Sequence, residues 1–133
     1  MIKAKEDTFH LIKLIAAVNG IAAVLHIVFW TIVFVKAPLE QSEKIVTYGL
    51  GIADLLWSVP LLLIGSIALN RQRFIGLLAA QMANALYWYS FTFILFREFN
   101  TYFRPGTLLF LPFVLFSIWS SWYLWKVRSV FKP

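Results

Sequence analysis

Apolar residues fall in four long runs along the chain, separated by short polar stretches. The runs predict helices over about 14–35, 48–69, 74–96 and 107–125, each near the ~20 apolar residues that a helix needs to cross a bilayer. This reads as an all-α fold: an integral membrane four-helix transmembrane bundle, with residues 1–133 as a single transmembrane domain. An amphipathic lead, MIKAKEDTFHLIK, precedes the first run. The loop KAPLEQSEK, the tight turn Asn70-Arg71-Gln72-Arg73 and the loop REFNTYFRPG separate the four runs, and a basic tail, KVRSVFKP, follows the last. The first run exceeds the ~7–15-residue apolar core of a cleaved signal peptide, so it is read as a retained span.

Small residues recur on single faces of two runs. Ala16, Gly20 and Ala23 share a face of the first, and Gly76, Ala80 and Ala83 share a face of the third. In lipid, where apolar burial between helices gains little, such faces predict close helix packing. There is no internal repeat, because the acid of the second run has no counterpart in the fourth; this argues against a transporter built from duplicated halves.

Composition agrees with the pattern. The chain is 61% hydrophobic and 14% charged, with a mean hydropathy of +0.78, whereas soluble domains carry about 25% charged residues. Cysteine is absent, which excludes disulfides and thiolate metal sites. The net charge of +6 does not point to nucleic acid, because the basic residues flank apolar runs instead of forming one patch. One end carries Lys3, Lys5, Lys13, Arg71, Arg73, Lys126, Arg128 and Lys132, against Lys36, Lys44, Arg97 and Arg104 at the other. By the positive-inside rule the protein is a multi-pass component of the cell membrane with both termini cytoplasmic. Trp30, Tyr48, Phe96, Trp122, Tyr123 and Trp125 near the ends of the runs read as an interfacial aromatic belt.

Asp54 is the one formal charge in the second run. An ionised carboxylate inside a span costs several kcal/mol, so an acid there is a functional-site candidate. Pro60, six residues on, cannot donate to the carbonyl of Leu56 and predicts a kink beside the acid. Counting ~1.5 Å per residue from the span ends puts Asp54 about 9 Å and His26 about 14 Å deep, within a helical turn of each other in an antiparallel hairpin. Asn19, His26 and Trp30 share one stripe of the first run. Gln81, Asn84 and Trp88, with Tyr87 beside them, form a stripe on the third. Trp57 and Ser58 flank Asp54, while Ser117, Ser120, Ser121 and Pro112 (a second expected kink) lie in the fourth run. Apolar walls with a few converging polar groups are the signature of a small-molecule pocket. Its expected members are Asp54, His26, Trp57, Asn84, Trp88, Tyr87, Asn19 and Gln81.

The layout resembles the EXPERA superfamily, which holds the emopamil-binding sterol isomerase and the sigma-2 receptor. The resemblance covers spans two to four: ADLLWSVPLLL with Asp54 six residues ahead of Pro60, the basic turn, and a proline-containing fourth span. It implies a lipid-embedded pocket, open sideways to the membrane, for cationic amphiphiles or sterol-like molecules, with Asp54 facing the ligand's cation. The chain departs from the sigma-2 type at Lys36-Ala37-Pro38, where those members carry a further acid. The alternative is an uncharacterised bacterial four-span family.

Three functions compete. The first is a pocket centred on Asp54 that binds a hydrophobic or amphiphilic small molecule, such as a hydrophobic amine held by charge and indole contacts. The second is a small proton-coupled transporter or channel acting as an oligomer, a homodimer being the simplest, with Asp54 and His26 exchanging protons. The third is a structural or regulatory subunit that docks through its small-residue faces. Membrane lipid is the expected partner in all three. No phosphate loop, metalloprotease, EF-hand or nucleophile-elbow motif occurs, so neither a cofactor nor a metal is expected and catalysis is left open.

Overall fold

The computed structural model describes residues 2–36, 41–100 and 105–133. These residues are almost entirely helical: α1 (Ile2–Lys36), α2 (Gln41–Ala53), a π-helical turn (Asp54–Ser58), α3 (Val59–Asn70), α4 (Phe74–Asn100) and α5 (Leu111–Lys126), with short 3₁₀ segments at Pro105–Phe110 and Arg128–Val130. Three stretches, Lys3–Lys36, Lys44–Asn70 and Thr107–Lys126, are long and apolar enough to cross a membrane. Such helices mark the chain as a membrane protein. α4 is equally long but is not among them, since Gln81, Asn84 and three Tyr or Trp residues interrupt its apolar sequence.

The helices outrun the expected spans. The lead from Ile2 is continuous with α1, because neither Pro nor Gly interrupts it before Gly20. α2 begins at Gln41 and α4 continues to Asn100, so part of each expected loop is helical. Residues 37–40 and 101–104 of those loops, with Pro38 and Arg104, lie outside the described residues. Pro112 does not kink a span; it sits in the first turn of α5, where its missing N–H costs nothing.

Pro60 acts as expected in kind but not in form. The second span widens into a π turn, seen in the bond from the Val59 N–H to the Asp54 carbonyl five residues back. A widened turn just ahead of a proline absorbs the clash that the ring would make with the preceding turn. The span thus stays a single element, α2 to α3, with one broad turn holding Asp54 and Ser58.

The turn at 70–73 is a Schellman motif. The Gln72 N–H donates to the Leu69 carbonyl and the Arg73 N–H to that of Ala68, both at 2.9 Å, with Gln72 in the left-handed region at φ 51. Gly76 follows because a Cβ there would strike the backbone of Ala68 and Leu69. The basic tail is docked to this turn: Lys132 N–H donates to Gln72 O (2.8 Å), Phe74 N–H donates to Lys132 O (2.7 Å), and Phe131 is buried.

The elements run up, down, up and down, so the core can be followed along the bundle. At the end nearest the turn, Ile12, Ile15, Leu69, Leu77, Leu124 and Phe131 form an apolar cluster. Above it come Ala23, Val59, Leu62 and Ala83. The interior is built largely from small and polar residues, while Leu, Ile, Val, Phe and Trp are abundant on the outside. This inside-out distribution suits a lipid surround. Helices approach closely where the small residues lie: the backbone of Gly65 lies against that of Ala80, and the Ala16 carbonyl accepts the Ser66 hydroxyl at 2.6 Å. α3 packs extensively on both α1 and α4, α5 rests mainly on α4, and the backbones of α1 and α5 barely approach. At the turn end, Lys126 lies over Trp122 and Arg128 over Trp125, at 5.0 and 4.8 Å from the ring centres.

Candidate functional site

Asp54 begins the π turn and is 8% exposed. Two side chains address its carboxylate. Trp30 Nε1 donates to Oδ2 at 2.7 Å. His26 Nδ1 lies 2.8 Å from the same oxygen, but without the alignment of a hydrogen bond, so the contact is a close electrostatic one. Ser58, one turn on, is buried beside it. The cluster exists because α1 and the second span run antiparallel, which brings 26 and 30 level with 54. Gly51 is also required: a Cβ at that position would overlap the Trp30 indole.

A second polar seam joins α4 to α5. Gln81 Nε2 donates to Ser121 O (2.9 Å), and the Ser121 hydroxyl returns a bond to Gln81 Oε1. Asn84 Nδ2 reaches Ser120 Oγ at 3.4 Å, and Trp88 Nε1 donates to Ser117 Oγ at 2.7 Å. The stripe expected on the third span is therefore a ladder onto α5. Of its members, Asn84 on α4 and Ser117 on α5 also face the interior space.

Two cavities lie between these seams. The first is walled by Asn19, His26, Ser58, Asn84, Tyr87 and aromatics from the 3₁₀ segment (Phe110) and α5 (Phe113 and Phe116). The second is walled by Trp30, Asp54, Leu50 and Ile94, again with His26, Tyr87 and Phe110. Along α1 the first spans 18–26 and the second 26–30; along α4 they span 83–87 and 87–94. The cavities thus succeed one another along the bundle. The layer of His26, Tyr87 and Phe110 is their common wall, with the His26 and Tyr87 rings 5.6 Å apart and the Tyr87 hydroxyl donating to Phe110 O at 3.3 Å. Each cavity offers about 40 Å³ to the centres of water molecules, room for about three at the ~10–15 Å³ that each requires. Among the described residues, no group of three His, Asp, Glu or Cys comes together to hold a metal.

Asp54, His26, Tyr87, Asn84 and Asn19 all reach this space. Gln81 and Trp88 are instead spent on α5. Trp57 is on the opposite side of the second span, 65% exposed, and faces away from the acid. The residue that replaces it is Trp30. Belt placement was expected for it, yet it is 5% exposed and bonded to Asp54. The available signal was its position four residues after His26, on the stripe of Asn19. Glu98, which the sequence put in a loop, is buried in the last turns of α4 and accepts from Thr107 at 2.5 Å. In comparisons with family models, curated proteins and solved structures, nothing matches this chain.

Proposed function

We propose that this is a four-span protein of the cell membrane, with both termini cytoplasmic, which binds a hydrophobic or amphiphilic small molecule in the space beside Asp54. The observation that carries the reading is the pair of cavities meeting at His26 and Tyr87, next to a buried acid, in a bundle with an apolar exterior. Ordinary bundle packing leaves no reason to keep an acid, a His and an indole together at that depth, where each is costly to bury. The resemblance of spans two to four to the EXPERA superfamily supports the same kind of pocket. The geometry shifts the expected chemistry, however. Asp54 is already engaged by Trp30 and His26, so a cationic amine would have to displace His26 to reach it.

The test is thermal unfolding of the purified protein and its Asp54→Asn variant against a panel of lipids and hydrophobic amines. A compound that raises the wild-type midpoint and has a smaller effect on the variant is expected. No shift with any compound would reject the reading, and equal shifts in both proteins would place the ligand in the cavity that Asp54 does not line.

Proton-coupled movement is the second reading, and one observation favours it. His26 belongs to both cavities and stands between them, where a proton carrier would stand. Reconstituted protein should then dissipate a pH gradient across liposomes, and His26→Leu should stop it; no flux in the wild type at any gradient removes this reading.

A further inference from the structure

We infer that the first cavity receives a neutral, unbranched lipid whose polar end is a hydroxyl, with Asn19 as the group that holds that end. The inference rests on the ligand-binding reading above and names the class of ligand. Asn19 is 5% exposed, lines the cavity, and its Nδ2 has no hydrogen-bond partner. A buried amide left unpaired is unfavourable and calls for a partner. Asn84 is committed to Ser120, and Ser117 to both Trp88 and the Val114 carbonyl, while His26, though without an aligned hydrogen bond, turns its Nδ1 to Asp54 and away from this cavity. Asn19 is the amide left over.

The ligand class follows from what the walls do and do not present. The first cavity carries no carboxylate, since Asp54 lines only the second, so it has nothing to neutralise an amine. An amide offers a donor and an acceptor, and a hydroxyl matches both. The free space is small, with room for about three water molecules, which admits a hydroxyl and the first carbons of a chain but not a fused ring system. Access from the bilayer is provided by the fold: the cavity is not enclosed, and its side walls include α1 and α5, whose backbones barely approach. Val18, Ala22 and Leu25 on one side and Phe113 and Phe116 on the other form an apolar slot through which the alkyl chain would run out to the lipid.

Thermal unfolding in lipid nanodiscs, with 1-dodecanol, n-dodecane and dodecylamine at matched concentrations, tests this. Dodecanol should raise the wild-type midpoint by several degrees more than the other two. Asn19→Leu should lose the advantage of the alcohol over the hydrocarbon, and Ala22→Trp, which fills the cavity, should lose the response to both. If Asn19→Leu keeps the advantage while Ala22→Trp removes it, a ligand pocket exists but Asn19 does not hold the head. Stabilisation by dodecylamine alone, lost in Asp54→Asn, would keep the ligand-binding reading and overturn the hydroxyl lipid. A second measurement needs no variant: a dodecanol carrying a diazirine beside its hydroxyl should label the α1 segment around Asn19. Labelling spread evenly over the lipid-facing helices would overturn the assignment.

Discussion

The two polar seams of this bundle use different chemistry for the same task. Between α1 and the second span, one carboxylate gathers an indole and an imidazole within 2.8 Å. Between α4 and α5, amides, hydroxyls and an indole form a neutral ladder in which each rung has its own partner. Removing a rung from the ladder leaves the neighbouring rungs intact. Removing the carboxylate strands two buried groups at once. The first seam is thus the costly one, and the costly one borders both cavities through His26. The ladder fastens α5 to α4 in separable steps, whereas the acid cluster joins α1 to the second span through a single carboxylate.

The contrast can be broken in three ways. The largest effect is expected for Asp54→Leu, which strands the Trp30 N–H and His26 together; each buried polar group left unsatisfied costs about 1–3 kcal/mol. Asp54→Asn keeps an acceptor for Trp30 and should cost less. Reversible unfolding in mixed micelles reads both, and an Asp54→Leu penalty no larger than that of a ladder variant would erase the distinction. Next comes Gly51→Leu, which pushes the Trp30 indole off Asp54 by overfilling its seat. The expected cost is about 1–3 kcal/mol, with a change in Trp fluorescence. The smallest effect belongs to Gln81→Leu, near the ~0.6 kcal/mol typical of an interhelical hydrogen bond in a membrane bundle. If Gln81→Leu were as damaging as Asp54→Leu, the ladder would be more than fastening.

Much of this site was legible from residue spacing. Depth counting alone put His26 within about a helical turn of Asp54, and the 3.6 period put Asn19, His26 and Trp30 on one stripe. Trp57 was assigned to the pocket because, three residues from Asp54, a regular α-helix would keep the two on neighbouring faces. The π turn takes more residues per turn, so the third residue lags further behind the acid and Trp57 swings outward, while Ser58 remains buried beside it. Trp30 went the other way. An indole near a span end is ordinarily an interfacial anchor, and only Gly51 across the helix pair makes a seat for it inside. Gln81 and Trp88 were correctly seen as a stripe, but a stripe does not name the helix it faces.

Local sequence by itself determined that the chain is helical and apolar, where it turns, and that Pro60 would distort the helix beside the acid. These depend on composition, on the length of apolar runs, and on the missing N–H of proline, all properties of residues and their near neighbours. The tertiary structure alone decided which indole meets the acid, which stripe is spent on α5, and where space is left between the helices. Those outcomes depend on contacts between residues tens of positions apart, and on a one-residue change in helix winding that rotates every side chain within it. Asn19 shows the division plainly: its position on a buried stripe could be read from the chain, but its lack of a partner is a property of the packed bundle.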